Sequence, residues 1–307
     1  MPRARWIIAS LLLVGTLVVT DRPRHPRPPH RAELLQAGET RVRALRAGTG
    51  DTTLVLLHGY GEHLLTWRGV VDPLAAGHRV IAFDLPGFGG SEKPDRPYTL
   101  GMMATEVTGF LDRWTRRPVV LVGHSMGGAV AARVALDRPD LVDALVLIAP
   151  AGLRIGLGPI TQDATPARAT AIGLWEAARA FVTPLHDPEW MAEPPGMAEY
   201  DPTTDPAFRR STGRALIEFD FQGIGRGFGQ IQQPTLLIWG TGDPVIPFEI
   251  GEEVAGLLPC RQWARLERTL HRPQAERPDT VTSLIRSFLA NPGCAPKGQD
   301  WPDSRQR

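Results

Sequence analysis

Residues 119–130 read "VVLVGHSMGGAV", and this stretch decides the fold. Val119, Val120, Leu121 and Val122 form a short apolar run that suits a buried strand. From Met126 onward the residues are small (Gly128, Ala129, Ala131, Ala132, Ala135), which predicts a helix over 126–136 that packs closely on its neighbours. Between the two lies Gly123-His124-Ser125-Met126-Gly127. A strand that turns straight into a helix holds the residue at the turn in strained backbone angles and stands its side chain clear of the sheet. The flanking positions must then be small, because the turn leaves no room for a Cβ. The Gly-x-Ser-x-Gly spacing meets both demands and makes Ser125 a candidate nucleophile. Gly and Ser are also ordinary turn residues, so the pattern carries weight only with its strand and helix in place.

The same alternation runs along the chain. Apolar, β-rich runs at 42–45, 53–57, 80–83, 119–122, 144–148, 235–239 and, weakly, 262–266 predict strands. Helix-period segments fall at 67–75, 100–114, 126–136, 250–257 and 280–289. Continuous apolar strands alternating with helices imply an α/β fold, a mostly parallel, doubly wound sheet covered on both faces. Residues 151–232 break the rhythm: the stretch is long, rich in Pro, Trp, Phe and Met, and lacks strand runs. A structureless loop of that length is improbable, so an inserted, mostly helical subdomain is expected there. The core is thereby divided into 41–150 and 233–290, with a polar tail over 291–307.

At the N-terminus, Arg3 and Arg5 precede the uncharged apolar run 6–19. That run fits a signal or anchor segment over 1–20 and is shorter than the roughly 20 residues of a comfortable membrane span. No A-x-A cleavage pattern or lipobox cysteine follows, which favours an uncleaved anchor and membrane association through 6–19. Arg22, Arg24, Arg27 and Arg31 come next, in a Pro/Arg-rich spacer expected over 21–40. By the positive-inside rule these arginines would hold the domain in the cytoplasm, so the sequence points to the cell envelope, as an anchored or exported protein, and leaves the side open. Cys260 and Cys294 are the only cysteines, and they fit either one disulfide in an exported protein or two free thiols. They form no CxxC or His/Cys cluster, so no metal site is expected. A net charge of +1 gives no electrostatic footprint for nucleic acid. Nothing in the sequence reports an oligomeric state.

On an open parallel sheet, ligands bind beyond the carboxyl ends of the strands. Four polar loops follow strand ends here: His58-Gly-Tyr-Gly61, 84–91, Gly123-His-Ser-Met-Gly127 and Gly240-Thr-Gly-Asp-Pro244. A serine hydroxyl needs a base, and the base needs a carboxylate to fix its tautomer. The chain order serine, acid, histidine leaves one histidine after the strand ending near Trp239, namely His271. The loop after 144–148 offers no carboxylate, whereas Gly242-Asp243-Pro244 does, so Asp243 is the candidate acid. Read alone, Asp243 is a turn former and His271 a solvated loop histidine; together with Ser125 they read as a triad. The backbone N–H groups of Met126 and Tyr60 are the candidate oxyanion donors. His58 reads as the structural histidine of its glycine loop, and His124 as pointing away from the chemistry. The loop at His58 lacks the spacing of a phosphate-binding motif.

These motifs, with "DLPGFGGS" at 84–91 and His271-Arg-Pro-Gln-Ala-Glu-Arg-Pro278, resemble the α/β-hydrolase superfamily over roughly 41–289. The likeness is to its capped group of esterases, cofactor-free haloperoxidases and carbon–carbon bond hydrolases. It implies a helical cap over 151–232 and a serine hydrolase without cofactor. Thr269-Leu270 stands where many relatives have glycine before the histidine. Relatives that open epoxides or carbon–halogen bonds carry aspartate at the elbow, so Ser125 argues against both reactions. The expected activity is hydrolysis of an apolar carboxylic ester through an acyl-enzyme. The alternatives are a carbon–carbon hydrolase or a perhydrolase with haloperoxidase activity on the same triad, or a non-catalytic binding module. Trp67, Trp175, Phe181, Trp190 and Phe219 are candidate pocket residues, or else form the insertion's own core.

Overall fold

A computed structural model of the chain describes residues 30–115, 118–153, 191–192 and 205–294. Among these, the strands are β1 (His30–Ala37), β2 (Thr40–Ala47), β3 (Thr53–Leu57), β4 (Arg79–Phe83), β5 (Val119–His124), β6 (Val142–Ile148), a two-residue β7 (Met191–Ala192), β8 (Thr235–Gly240) and β9 (Arg261–Leu266), of which all but β1 and β7 correspond to the expected apolar runs. They form one sheet in the order β7-β1-β2-β4-β3-β5-β6-β8-β9. Among the described residues, only the β1–β2 and β2–β4 pairings are antiparallel. The α-helices among the described residues are α1 (Arg68–Ala75), α2 (Leu100–Trp114), α3 (Met126–Asp137), α4 (Pro206–Glu218), α5 (Phe248–Leu257), α6 (Pro273–Glu276) and α7 (Pro278–Ala290).

Strand side chains alternate between faces, so one continuous apolar run feeds two cores. Val55, Leu57, Leu121, Leu147 and Leu237 point to a core shared with α2, α3 and α5. Leu54, Leu56, Val122, Val146 and Ile238 point to the other, covered by α1 and α7. Helix α2 begins where Thr99 accepts a hydrogen bond from the Met102 N–H, an N-cap that matches the start expected from sequence.

The parallel register aligns Leu57 with Phe83 on one side and with Gly123 on the other, so the loops after β3, β4 and β5 leave from one rim. The loop after β4 is knotted around Asp84. Its carboxylate accepts from Arg43 Nε, the Leu64 N–H and the Gly90 N–H at 2.7, 2.6 and 2.7 Å. Burial alone would raise this carboxyl, but Arg43 and the neighbouring donors outweigh it and hold it below the usual aspartate value. Gly89 has φ +49°, and a Cβ there would lie 2.1 Å from the Asp84 carboxylate, which is why the "GFGGS" segment is glycine-rich.

Several boundaries differ from the sequence expectation. Residues 30–40, assigned to the 21–40 spacer, form β1 and the turn into β2, with Ala32, Leu35 and Ala37 buried. The tail expected from 291 is anchored as far as 294: a disulfide joins Cys294 to Cys260, and Gln262 Nε2 donates to the carbonyls of Asn291 and Gly293. Trp67, expected in the pocket, is fully buried in the α1/α7 core, on the face of the sheet opposite Met126. A side chain enclosed there packs against Val70 and its neighbours and lines no binding site. Within the 151–232 insertion, the described helices are α4 and a 3-10 turn over Gly225–Gln230. No helix among the described residues is long and apolar enough to cross a membrane, and the run 6–19 lies outside them.

Candidate active site

Ser125 caps the N-terminus of α3 at φ 50° and ψ −116°, a left-handed conformation that side chains rarely adopt. Its carbonyl accepts from the N–H groups of Gly128, Ala129 and Ala151, and its own N–H donates to Ile148. Four backbone bonds therefore hold the turn. A Cβ on Gly123 would lie 2.4 Å from the Gly127 carbonyl oxygen; one on Gly127 would lie 2.3 Å from that of Leu57. On Gly128 it would meet Pro150 at 2.7 Å. The "GHSMGG" glycines are thus required by contact with the start of α3, with β3 and with the loop after β6. Met126 opens α3, where helix geometry leaves backbone N–H groups without intrahelical partners.

The loops after β8 and β9 are zipped together. The Gly242 N–H donates to Thr269, and Gly240 abuts the carbonyls of Thr269 and Leu270. This brings Asp243 to His271: Nδ1–H of the imidazole donates to Oδ2 of Asp243 at 2.7 Å. The second carboxylate oxygen accepts from the Val245 and Ile246 N–H groups at 2.8 and 2.9 Å, which fixes its orientation. With the proton held on Nδ1, Nε2 of His271 keeps its lone pair. Burial lowers His271 below the ordinary histidine value of 6.5, against the hydrogen bond to Asp243, so the ring is neutral at pH 7. The backbone on either side of His271 is held by Glu276, whose carboxylate accepts from the Leu270 and Arg272 N–H groups. That contact explains why the glutamate stands five residues after the histidine.

His124 bridges the two halves of the site. Its Nε2–H donates to the His271 carbonyl at 2.8 Å, and the two rings lie 4.9 Å apart. The expectation that this side chain points away is therefore corrected: it reaches across to the loop carrying His271. Glu62, which sequence reasoning passed over, sits 3.0 Å from His124 Nδ1 and also accepts from the Gly59 N–H. The available signal was a glutamate beside a glycine loop, which has no meaning until the fold is known. His58 is the structural residue expected: the Leu85 N–H donates to its Nε2, so Nδ1–H donates to Gly59, and burial keeps the ring neutral.

Helix α4 stands over this rim. Tyr60 Oη donates to the Thr212 carbonyl at 2.9 Å, and Ser211 Oγ to that of Gly87 at 2.5 Å. Tyr60, Phe88, Phe208, Phe219 and Phe221 form a chain of ring contacts from the rim to α4. Phe219 thus lies within reach of the rim, buried in the same core as Met126. Trp175, Phe181 and Trp190 lie outside the described residues.

A family model described as the alpha/beta hydrolase fold matches residues 52–278. The chain belongs to the α/β-hydrolase family. It is 30% identical over 247 residues to the uncharacterized hydrolase YugF of Bacillus subtilis, covering 78% of this chain and 90% of that protein. It is 29% identical over 264 residues to 2-hydroxy-6-oxo-6-(2'-aminophenyl)hexa-2,4-dienoic acid hydrolase of Metapseudomonas resinovorans, covering 83% and 90%. A solved structure of a serine hydrolase involved in carbazole degradation matches with a TM-score of 0.64 at 27% identity, over 84% of this chain and 98% of that one.

The contact between the elbow of this hydrolase and β3 makes a sharp prediction. In Gly127→Ala the new methyl group must displace the backbone of Leu57 or His58, costing about 2–3 kcal/mol. A denaturant midpoint matching wild type would show that the approach is looser than described.

Proposed function

We propose that this hydrolase cleaves an apolar carboxylic ester through an acyl-enzyme on Ser125. The observation that supports this reading best is the Asp243–His271 hydrogen bond, on a loop that His124 ties to the strained elbow of Ser125. In the first step Ser125 Oγ bonds to the carbonyl carbon and passes its proton to His271 Nε2. Asp243 steadies the resulting imidazolium. The N–H groups of Tyr60 and Met126 hold the oxyanion, each donor contributing about 3 kcal/mol. His271 then gives its proton to the leaving alcohol, and water deprotonated by the same ring releases the acid. No cofactor is needed. The ring cluster from Tyr60 to Phe221 supports an apolar substrate.

A second reading, cleavage of a carbon–carbon bond next to a ketone, is favoured by the Metapseudomonas relative. Its named substrate is a 6-oxo acid without an ester, so hydrolysis there breaks a carbon–carbon bond. An ester panel set against dienoic ketones separates the two.

We also infer that the domain folds in an oxidising compartment, reached through the apolar run 6–19. The support is the Cys260–Cys294 disulfide, a bond seldom kept in reducing cytosol. This reading sets the disulfide above the arginines that follow the run.

Two outcomes are expected. Ser125→Ala loses roughly 10⁴-fold or more in kcat on the best ester. In wild type, kcat/KM falls on the acid side with a midpoint below 6.5, because His271 must be neutral to take the proton. Turnover by Ser125→Ala near the wild-type rate would remove the scheme. For localisation, unreduced protein taken from its native host should accept no maleimide, and labelling of both cysteines would refute the inference.

A further inference from the structure

The groups under His271 do more than fill space. His124 lies between two acceptors: its Nε2 faces the His271 carbonyl at 2.8 Å and its Nδ1 faces Glu62 Oε2 at 3.0 Å. A carbonyl can only accept, so Nε2 carries a proton. Glu62 in turn accepts from the Gly59 N–H and from Arg272 Nε, the latter at 2.5 Å. A carboxylate with those donors is ionised, so Nδ1 of His124 carries a proton as well. Burial would raise Glu62, yet the charges of His124 and Arg272 hold it well below the usual carboxylate range. His124 and Glu62 are both buried, so solvent screens their interaction weakly.

We propose that His124 and Glu62 form a buried ion pair that positions His271 and sets its charge environment. The pair ties three loops together: Glu62 holds the Gly59 N–H of the oxyanion loop, His124 belongs to the elbow, and both reach the loop of His271 and Arg272. Gly59 must be glycine for this, since a Cβ there would lie 2.8 Å from His124 Nδ1.

The charge has a defined sign. Three charged or titratable groups act on the His271 ring: Asp243 from the loop after β8, His124 from the elbow and Glu62 from the loop after β3; Arg272, next in the chain, pairs with Glu62, and His58 acts electrostatically with His124. A cationic His124 at 4.9 Å opposes a second positive charge on His271, while Asp243 and Glu62 favour one. The ring therefore returns its proton readily once it has taken it. In His124→Gln the cation is gone, and the amide can still donate to the His271 carbonyl. Loss of the cation, with Glu62 retained, pushes the His271 midpoint upward.

This inference rests on the reading of His271 as the base, but its test needs no substrate. Histidine ¹⁵N spectra of the intact protein at pH 7 should show His124 protonated on both ring nitrogens and His271 on Nδ1 alone. In His124→Gln the His271 midpoint should rise by roughly 0.5 to 2 pH units, and the acid limb of kcat/KM with it. A neutral tautomer of His124 in wild type, or an unmoved His271 midpoint in the variant, overturns the proposal. Should His124→Gln fail to fold, the wild-type spectrum decides alone. Failure of the hydrolytic scheme would appear instead as turnover by Ser125→Ala.

Discussion

Ser125 at φ 50° is the constraint on which the rest of the architecture depends. A non-glycine residue held there costs about 1–3 kcal/mol, and the surroundings must over-determine it. Here four backbone hydrogen bonds from β6, α3 and the residues after β6 converge on one residue. Those bonds demand that α3 begin immediately and lie close to β3, which in turn demands glycine at 123, 127 and 128. A small-residue helix follows, and Ala129, Ala131 and Ala132 are fully buried where larger side chains would hold it off. Local strain, close helix–sheet approach and a nucleophile set at a sharp strand-to-helix turn are one requirement expressed at three scales.

Around that turn the rim is held by buried charge. Arg43 and Asp84 lock the loop after β4, Glu62 with His124 and Arg272 joins three loops, and Asp243 orients His271. Buried ion pairs add little net stability because desolvation offsets their attraction. Their contribution here is geometric, since each pair accepts only one arrangement of loops that sequence places far apart. Such pre-positioned dipoles and charges need no rearrangement when charge develops in a reaction. The aromatic contacts from Tyr60 to α4 then close the rim with apolar surface.

Much of this was legible in the chain because periodicity and steric demands act locally. The helix 100–114 agrees with α2 at both ends, since Thr99 is a strong cap and the residues after Trp114 end the apolar pattern. The elbow was legible because its glycines have a single steric reason. Asp243 and His271 were reached through strand ends and chain order, although only the fold brings their side chains together. Strand β1 was hidden because its apolar face, Ala32, Leu35 and Ala37, is small and interleaved with polar residues beside an Arg/Pro-rich segment. Trp67 was misplaced because an aromatic near a glycine loop has no direction until the face of the sheet is known. Glu62 and His124 were unreadable for a related reason: their meaning is a contact between residues 62 positions apart.

The central claim is that Ser125 and His271 act as one reactive unit. A fluorophosphonate probe, with the labelled residue located by mass spectrometry, tests it most directly. The account predicts label on Ser125 in the wild-type protein and a large loss of labelling rate in His271→Ala. Label absent from Ser125, or undiminished labelling without the imidazole, would contradict it.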